Sequence, residues 1–214
     1  MADTKVRVLS GLSNLEFLKR FARPGCVGLL GGSSTIDRAI RRGQKGLDGG
    51  KASLWSHAVL FEGERPDGRQ WLIESDFEVG KGQLRNGVQE NRIDKYGDEK
   101  DWPNVAVLDF GLSEKDALKV VVAGLDLVAQ RSNYDLRGVL ETYWAMMRKS
   151  MAKGRDKEST FCSAFVRAVF RHAGIDLTPG VAVQHTLPEQ VSRTTLPHAR
   201  YLLVRDGACE LAQR

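Results

Sequence analysis

The 214-residue chain has only three cysteines, four histidines, six prolines and 7% aromatic residues, and several of these scarcities exclude something. Cys26, Cys162 and Cys209 are odd in number and widely spaced, so they build neither a disulfide framework nor a CxxC metal pair, and at least one thiol is free. No two histidines stand four residues apart as on a zinc-binding helix, so neither a metal nor another cofactor is expected. Uninterrupted apolar runs of the roughly 18 to 20 residues needed to cross a membrane are also missing. The most hydrophobic stretch, Val120 to Ala129, is broken by Gly124 and Asp126. The opening Met1-Ala2-Asp3-Thr4-Lys5 has no basic start leading into an apolar core, which predicts a cytoplasmic protein or one exported without a cleaved signal. Repeats and low-complexity segments are absent too, which excludes solenoids and disordered tails.

What remains is an ordinary globular composition, 42% hydrophobic and 28% charged, and at this length a single domain over residues 1–214 is expected. The net charge of +5 comes from basic residues scattered through the chain. That balance favours anionic partners in general, but with no basic tract it does not predict specific nucleic-acid binding.

Apolar spacing and turn residues predict an α+β fold. Helices are expected at Asn14 to Phe21, from Ser33 or Ser34 through Ile40, at Glu114 to Ser132, at Leu136 to Met151, at Thr160 to Ala173 and briefly at Pro188 to Ser192. Strands are expected at Cys26 to Leu30, Ser56 to Glu62, Gln70 to Asp76, Val105 to Phe110 and Tyr201 to Arg205, with a polar connection from Gly80 to Pro103. Together they give a small antiparallel sheet packed against the helix that carries Cys162. Gly31-Gly32-Ser33-Ser34-Thr35 lies between a strand and a helix but lacks the lysine and spacing of a phosphate-binding P-loop.

The chemistry concentrates on three residues. If Ser159 caps the helix Thr160 to Ala173, Cys162 is its third residue, where unpaired N–H groups and the helix dipole favour a thiolate. A lone cysteine on an apolar helix face is more often inert core material. His57 shares a strand face with Val59 and Phe61, so a titratable ring stands where an apolar side chain belongs. Glu74 and Asp76 place carboxylates on the adjoining strand. A thiol, an imidazole and a carboxylate are the nucleophile, base and orienter of a cysteine hydrolase. The register of the hairpin decides whether they meet. Pairing about Asp67 through a three-residue loop sets Phe77 opposite His57 and turns Glu74 to the other face; a one-residue shift, through a longer loop or a bulge, is required for either carboxylate to face His57. Among the other histidines, His185 is the one alternative base, and His172 suits the C-terminal end of its helix. Tyr134 and Ser163 are candidates to line the substrate cleft.

Several segments, in this order, resemble the circularly permuted papain-like hydrolases of the NlpC/P60 superfamily, especially their bacterial permuted amidase branch. They are Pro24-Gly25-Cys26-Val27-Gly28-Leu29-Leu30, the helix after Ser33-Ser34, Ser56-His57-Ala58-Val59-Leu60, Leu72-Ile73-Glu74, Gly87-Val88-Gln89 and Phe161-Cys162-Ser163-Ala164-Phe165-Val166, in a motif core of about 24–192. The histidine strand precedes the cysteine helix, which is the permuted order. Gly25-Cys26 stands where the family has an acidic Gly-Asp-like pair.

The resemblance implies a permuted papain-like fold and Cys162, His57 and Glu74 as the catalytic residues, with Glu74 preferred over Asp76. It implies an amidohydrolase or peptidase working through an acyl-enzyme, with the Cys162 backbone N–H as an oxyanion donor and bacterial cell-wall peptide (murein) or a related amide as substrate. An antibacterial effector would also have an immunity partner. More distant lecithin:retinol acyltransferase-like relatives imply a lipid acyl ester instead, and a non-catalytic binding module is the remaining alternative.

Overall fold

The computed structural model describes residues 4–47, 49–80, 83–130, 158–182 and 186–206, with the backbone alone at 77–80, 83–86 and 158–161. The helix expected at Leu136 to Met151, together with Tyr134, His185 and Cys209, lies outside the described residues.

The strands are β1 (Lys5–Leu9), β2 (Val27–Gly31), β3 (His57–Glu64), β4 (Gln70–Gly80), β5 (Gln83–Arg92), β6 (Asn104–Asp109) and β7 (Ala199–Val204). They form one seven-stranded sheet in the order β1-β7-β6-β2-β3-β4-β5. Its neighbours are antiparallel except β1 and β7, which run parallel. The helices are α1 (Asn14–Phe21), α2 (Thr35–Gly43), α3 (Glu114–Gln130), α4 (Glu158–His172) and α5 (Pro188–Ser192). The architecture is α+β, as expected, but the sheet is larger than expected and mixed. β1 and β5 account for the difference. β1 leaves both its valines exposed, so it carries no buried alternation, and β5 is polar along nearly its whole length.

Local chemistry fixes the helix ends. Ser13 and Glu16 close a capping box on α1, and the Ser34 hydroxyl accepts from the Asp37 N–H to cap α2. α4 stops where Gly174 takes a φ of 78°. The Ile175 N–H then reaches back to the Phe170 carbonyl at 3.1 Å.

Both faces of the sheet are covered, which is why β3 reads as an almost continuous apolar run rather than an alternating one. Ala58 and Leu60 point into a core shared with Val120 of α3 and with Phe165, Val166, Val169 and Phe170 of α4. Val59 and Phe61 point the other way, toward Phe17 and Leu18 of α1 and toward a 3-10 turn at Ile93–Tyr96. α3 lies close over the sheet at Gly124, where a Cβ would come within 2.9 Å of the Ile73 side chain. No helix among the described residues is long and apolar enough to cross a membrane.

Candidate active site

His57 is the first residue of β3, and the chain leading to it is firmly held. The Ser56 N–H donates to the Leu30 carbonyl at 2.8 Å, and the Ser56 hydroxyl accepts from the Gly32 N–H at 3.0 Å. Gln44 Nε2 donates to the Trp55 carbonyl at 2.8 Å, and Trp55 Nε1 donates to Ser192 of α5 at 3.1 Å. Ser53 donates to the buried Glu189 at 2.7 Å, fastening the same approach to the start of α5.

The register shift that the sequence requires is present. Close to the turn, Glu64 pairs with Gln70 and Gly63 with Trp71, which is the arrangement symmetric about Asp67. A bulge between Phe61 and Gly63 then changes the pairing to Phe61 with Leu72 and Leu60 with Ile73. Gly63 permits it. Its φ is 109°, and a Cβ there would lie 2.7 Å from the Pro24 ring. Continued to the strand start, the shifted pairing sets Asp76, not Phe77, opposite His57 and puts Glu74 on the same face as the ring.

His57 Nε2 lies 2.7 Å from Glu74 Oε2. Because a carboxylate only accepts, Nε2 carries the proton, and Nδ1 is the nitrogen left for the thiol. Cys162 comes from the opposite layer and lies near enough to the imidazole to act on its charge state. Burial opposes protonation of His57, but the charge and hydrogen bond of Cys162, joined by those of Glu74, hold its pKa well above the usual histidine range. Glu74 is completely buried. Burial alone would raise its pKa; the hydrogen bond and charge of His57 and the Lys95 ammonium bring it down to about 2.

Two expectations at the cysteine change. α4 begins at Glu158, so Ser159 is helical and does not cap, and Cys162 is the fifth helical residue and not the third. Its N–H therefore lies past the unpaired amides of the first turn and is taken up in the helix, so it is not the free oxyanion donor that was expected. The dipole contribution fades over the same turn, which leaves the imidazole as the main feature distinguishing this thiol. Ser163 is fully buried, its hydroxyl 3.8 Å from Cys162 Sγ.

Three residues around Glu74 were not anticipated. Asn91 Nδ2 and Lys95 Nζ donate to Oε1 at 2.6 and 2.8 Å, and the Tyr96 hydroxyl donates to Oε2. They lie in the segment read as a polar connection, where no alternation marked a strand. The available signal was chemical: an Asn, a Lys and a Tyr within six residues, directly after Gly87-Val88-Gln89. Among the described residues, no group of three or more His, Cys, Asp or Glu side chains is placed to hold a metal ion.

No protein-family model matches the chain, and no curated protein matches it in sequence. Among solved structures it is similar to the crystal structure of the metalloprotein yiiX, a DUF1105 protein from Escherichia coli O157:H7. The identity is 15%, the match covers 87% of this chain and 90% of that one, and the TM-score is 0.44.

Proposed function

We propose that the protein is a cysteine hydrolase of the circularly permuted papain-like type, with Cys162 as nucleophile, His57 as base and Glu74 as the carboxylate that orients it. The observation that carries the reading is the half-buried imidazole held between Glu74, at 2.7 Å, and the Cys162 thiol. An ordinary core histidine needs one polar partner. A ring bonded through one nitrogen to a carboxylate and facing a thiol with the other is set up to move a proton to and from sulfur.

In the proposed reaction His57 takes the thiol proton, and the thiolate attacks a carbonyl carbon to form a tetrahedral intermediate. The imidazolium then gives its proton to the leaving group as the bond to it breaks, which leaves an acyl-enzyme. His57 next removes a proton from water as its oxygen adds to the acyl carbonyl; the C–S bond then breaks to release the acid, and the imidazolium returns its proton to the sulfur. Glu74 stays ionised throughout, holds the tautomer and stabilises the imidazolium. An amide of cell-wall peptide is the substrate class we favour, as the resemblance to the permuted amidase branch implies; the net charge of +5 suits approach to anionic wall polymers but equally to anionic lipid.

The test is to incubate the wild-type protein and Cys162→Ala with purified murein and with phospholipid vesicles, and to analyse the products by mass spectrometry. Cleaved peptide amides with the wild type alone are expected. Fatty acid released while murein stays intact would replace the amide with a lipid ester. No product from either substrate, or equal product from both proteins, would remove the hydrolase reading.

A further inference from the structure

Glu74 has more partners than an orienting carboxylate needs. His57 and Tyr96 share Oε2, while Asn91 and Lys95 share Oε1, so both oxygens are saturated. Lys95 Nζ also lies 2.6 Å from Asp76 Oδ2 and so bridges two carboxylates. The 3-10 turn that presents Lys95 and Tyr96 is itself anchored. The buried Asn14, at the start of α1, donates to the carbonyls of Tyr96 and Trp102 at 3.0 and 2.9 Å.

Among the described residues, Cys162 of α4, Glu74 of β4 and Tyr96 of the turn meet His57 directly, and behind Glu74 stand the neutral Asn91 of β5, Lys95 of the turn and, across Lys95, Asp76 of β4. Behind the ring, then, stand two carboxylates and one ammonium. With both carboxylates unopposed, the imidazolium would be stabilised so strongly that returning its proton to a leaving group would become difficult. With one offset, the ring keeps its orientation and remains a usable acid.

We infer that Lys95 is a positioning residue that sets the charge balance behind His57 by bridging Glu74 and Asp76, with Asp76 as its counterweight. The inference rests on the cysteine-hydrolase reading for its functional meaning, but the arrangement of charges can be measured without substrate. Lys95 is suited to the role because it remains cationic. Burial works against its charge, yet the two carboxylates hold its pKa above the usual lysine range.

The experiment is a nitrogen-15 NMR titration of the His57 imidazole in the full chain, paired with the pH profile of Cys162 alkylation by iodoacetamide. Lys95→Met removes a positive charge and should raise the His57 midpoint by about half a unit to one unit. Asp76→Asn removes a negative charge and should lower it by a similar amount. The double variant should return close to wild type, and Lys95→Arg should rescue the single change.

A purely structural role would loosen the site and move both single variants the same way. Shifts of one sign, or none, overturn the inference. If Lys95→Met does not fold, the downward shift in Asp76→Asn supports the inference, and its absence or reversal overturns it. Failure of the enzyme reading looks different: wild type and His57→Ala would be alkylated at the same rate, whatever the NMR midpoints do.

Discussion

Cys26 and Cys162 are equally hidden, at 2% and 1% exposure, yet their surroundings differ in sign. Cys26 opens onto β2 with Asp109 beside it. Burial first, and then the charge of Asp109, pushes its pKa up to about 12. Cys162 meets an imidazole whose far side is fixed to a buried carboxylate. Burial alone makes a thiol inert, and the partner decides whether it can become a nucleophile.

The largest expected effect follows directly. Iodoacetamide near pH 7 should label Cys162 much faster than Cys26 although exposure favours neither, and His57→Ala should abolish the difference. Cys162→Ala should remove hydrolysis altogether, a loss of about 10⁴ or more, while the fold survives at a cost of about 1 kcal/mol. Equal, slow labelling of the two thiols would make them the same kind of core cysteine.

Glu74→Gln tests what stands behind the imidazole and should lower turnover by about 10² or more with little change in substrate binding. It should also flatten the acid limb of stability. The Glu74 pKa is about 2 in the folded protein against an ordinary 4.5. Between those values the unfolded chain binds more protons, so stability is fully present above about pH 4.5 and falls as pH drops toward 2. Thermal melts of wild type and Glu74→Gln across that window should converge as the pH falls. Parallel curves would mean that the carboxylate is not held in its charged form.

Gly63→Ala approaches the same contrast through the backbone. At a φ of 109° an alanine is strained and its Cβ meets Pro24, so a loss of about 1 to 3 kcal/mol is expected. If the hairpin relieves this by giving up the bulge, Glu74 turns away from His57, and labelling of Cys162 should slow toward that of Cys26. Undiminished labelling would show that the register is held elsewhere.

How far the sequence carried the site can be judged at these same residues. The period of two put His57 on the Val59 face, and the requirement for a one-residue shift could be stated. That Gly63 supplies the shift could not, because the bulge depends on the fit of its backbone against Pro24 in another part of the chain. Asn91 was hidden because β5 is polar where it serves the site, and Lys95 and Tyr96 because they sit on a short 3-10 turn, so propensity and alternation were both silent. β1 was missed for a different reason: an exposed edge strand needs no buried face. At α4 the Ser-Thr pair looked like a cap, but the helix had already begun.

The smallest expected effect lies at Cys26 and isolates the two causes of its inertness. Asp109→Asn removes the neighbouring charge, which is the lesser cause, and leaves the burial, which is the greater. A thiol with a pKa of about 12 is only about one part in 10⁴ thiolate at pH 8. Removing one charge should raise that fraction without supplying the cation that Cys162 has in His57. Labelling of Cys26 should therefore rise less than about tenfold and stay far behind Cys162, as counted by mass spectrometry of alkylated peptides. A rise to the Cys162 rate would show that the neighbouring charge, and not burial or the missing imidazole, keeps a thiol of this protein silent.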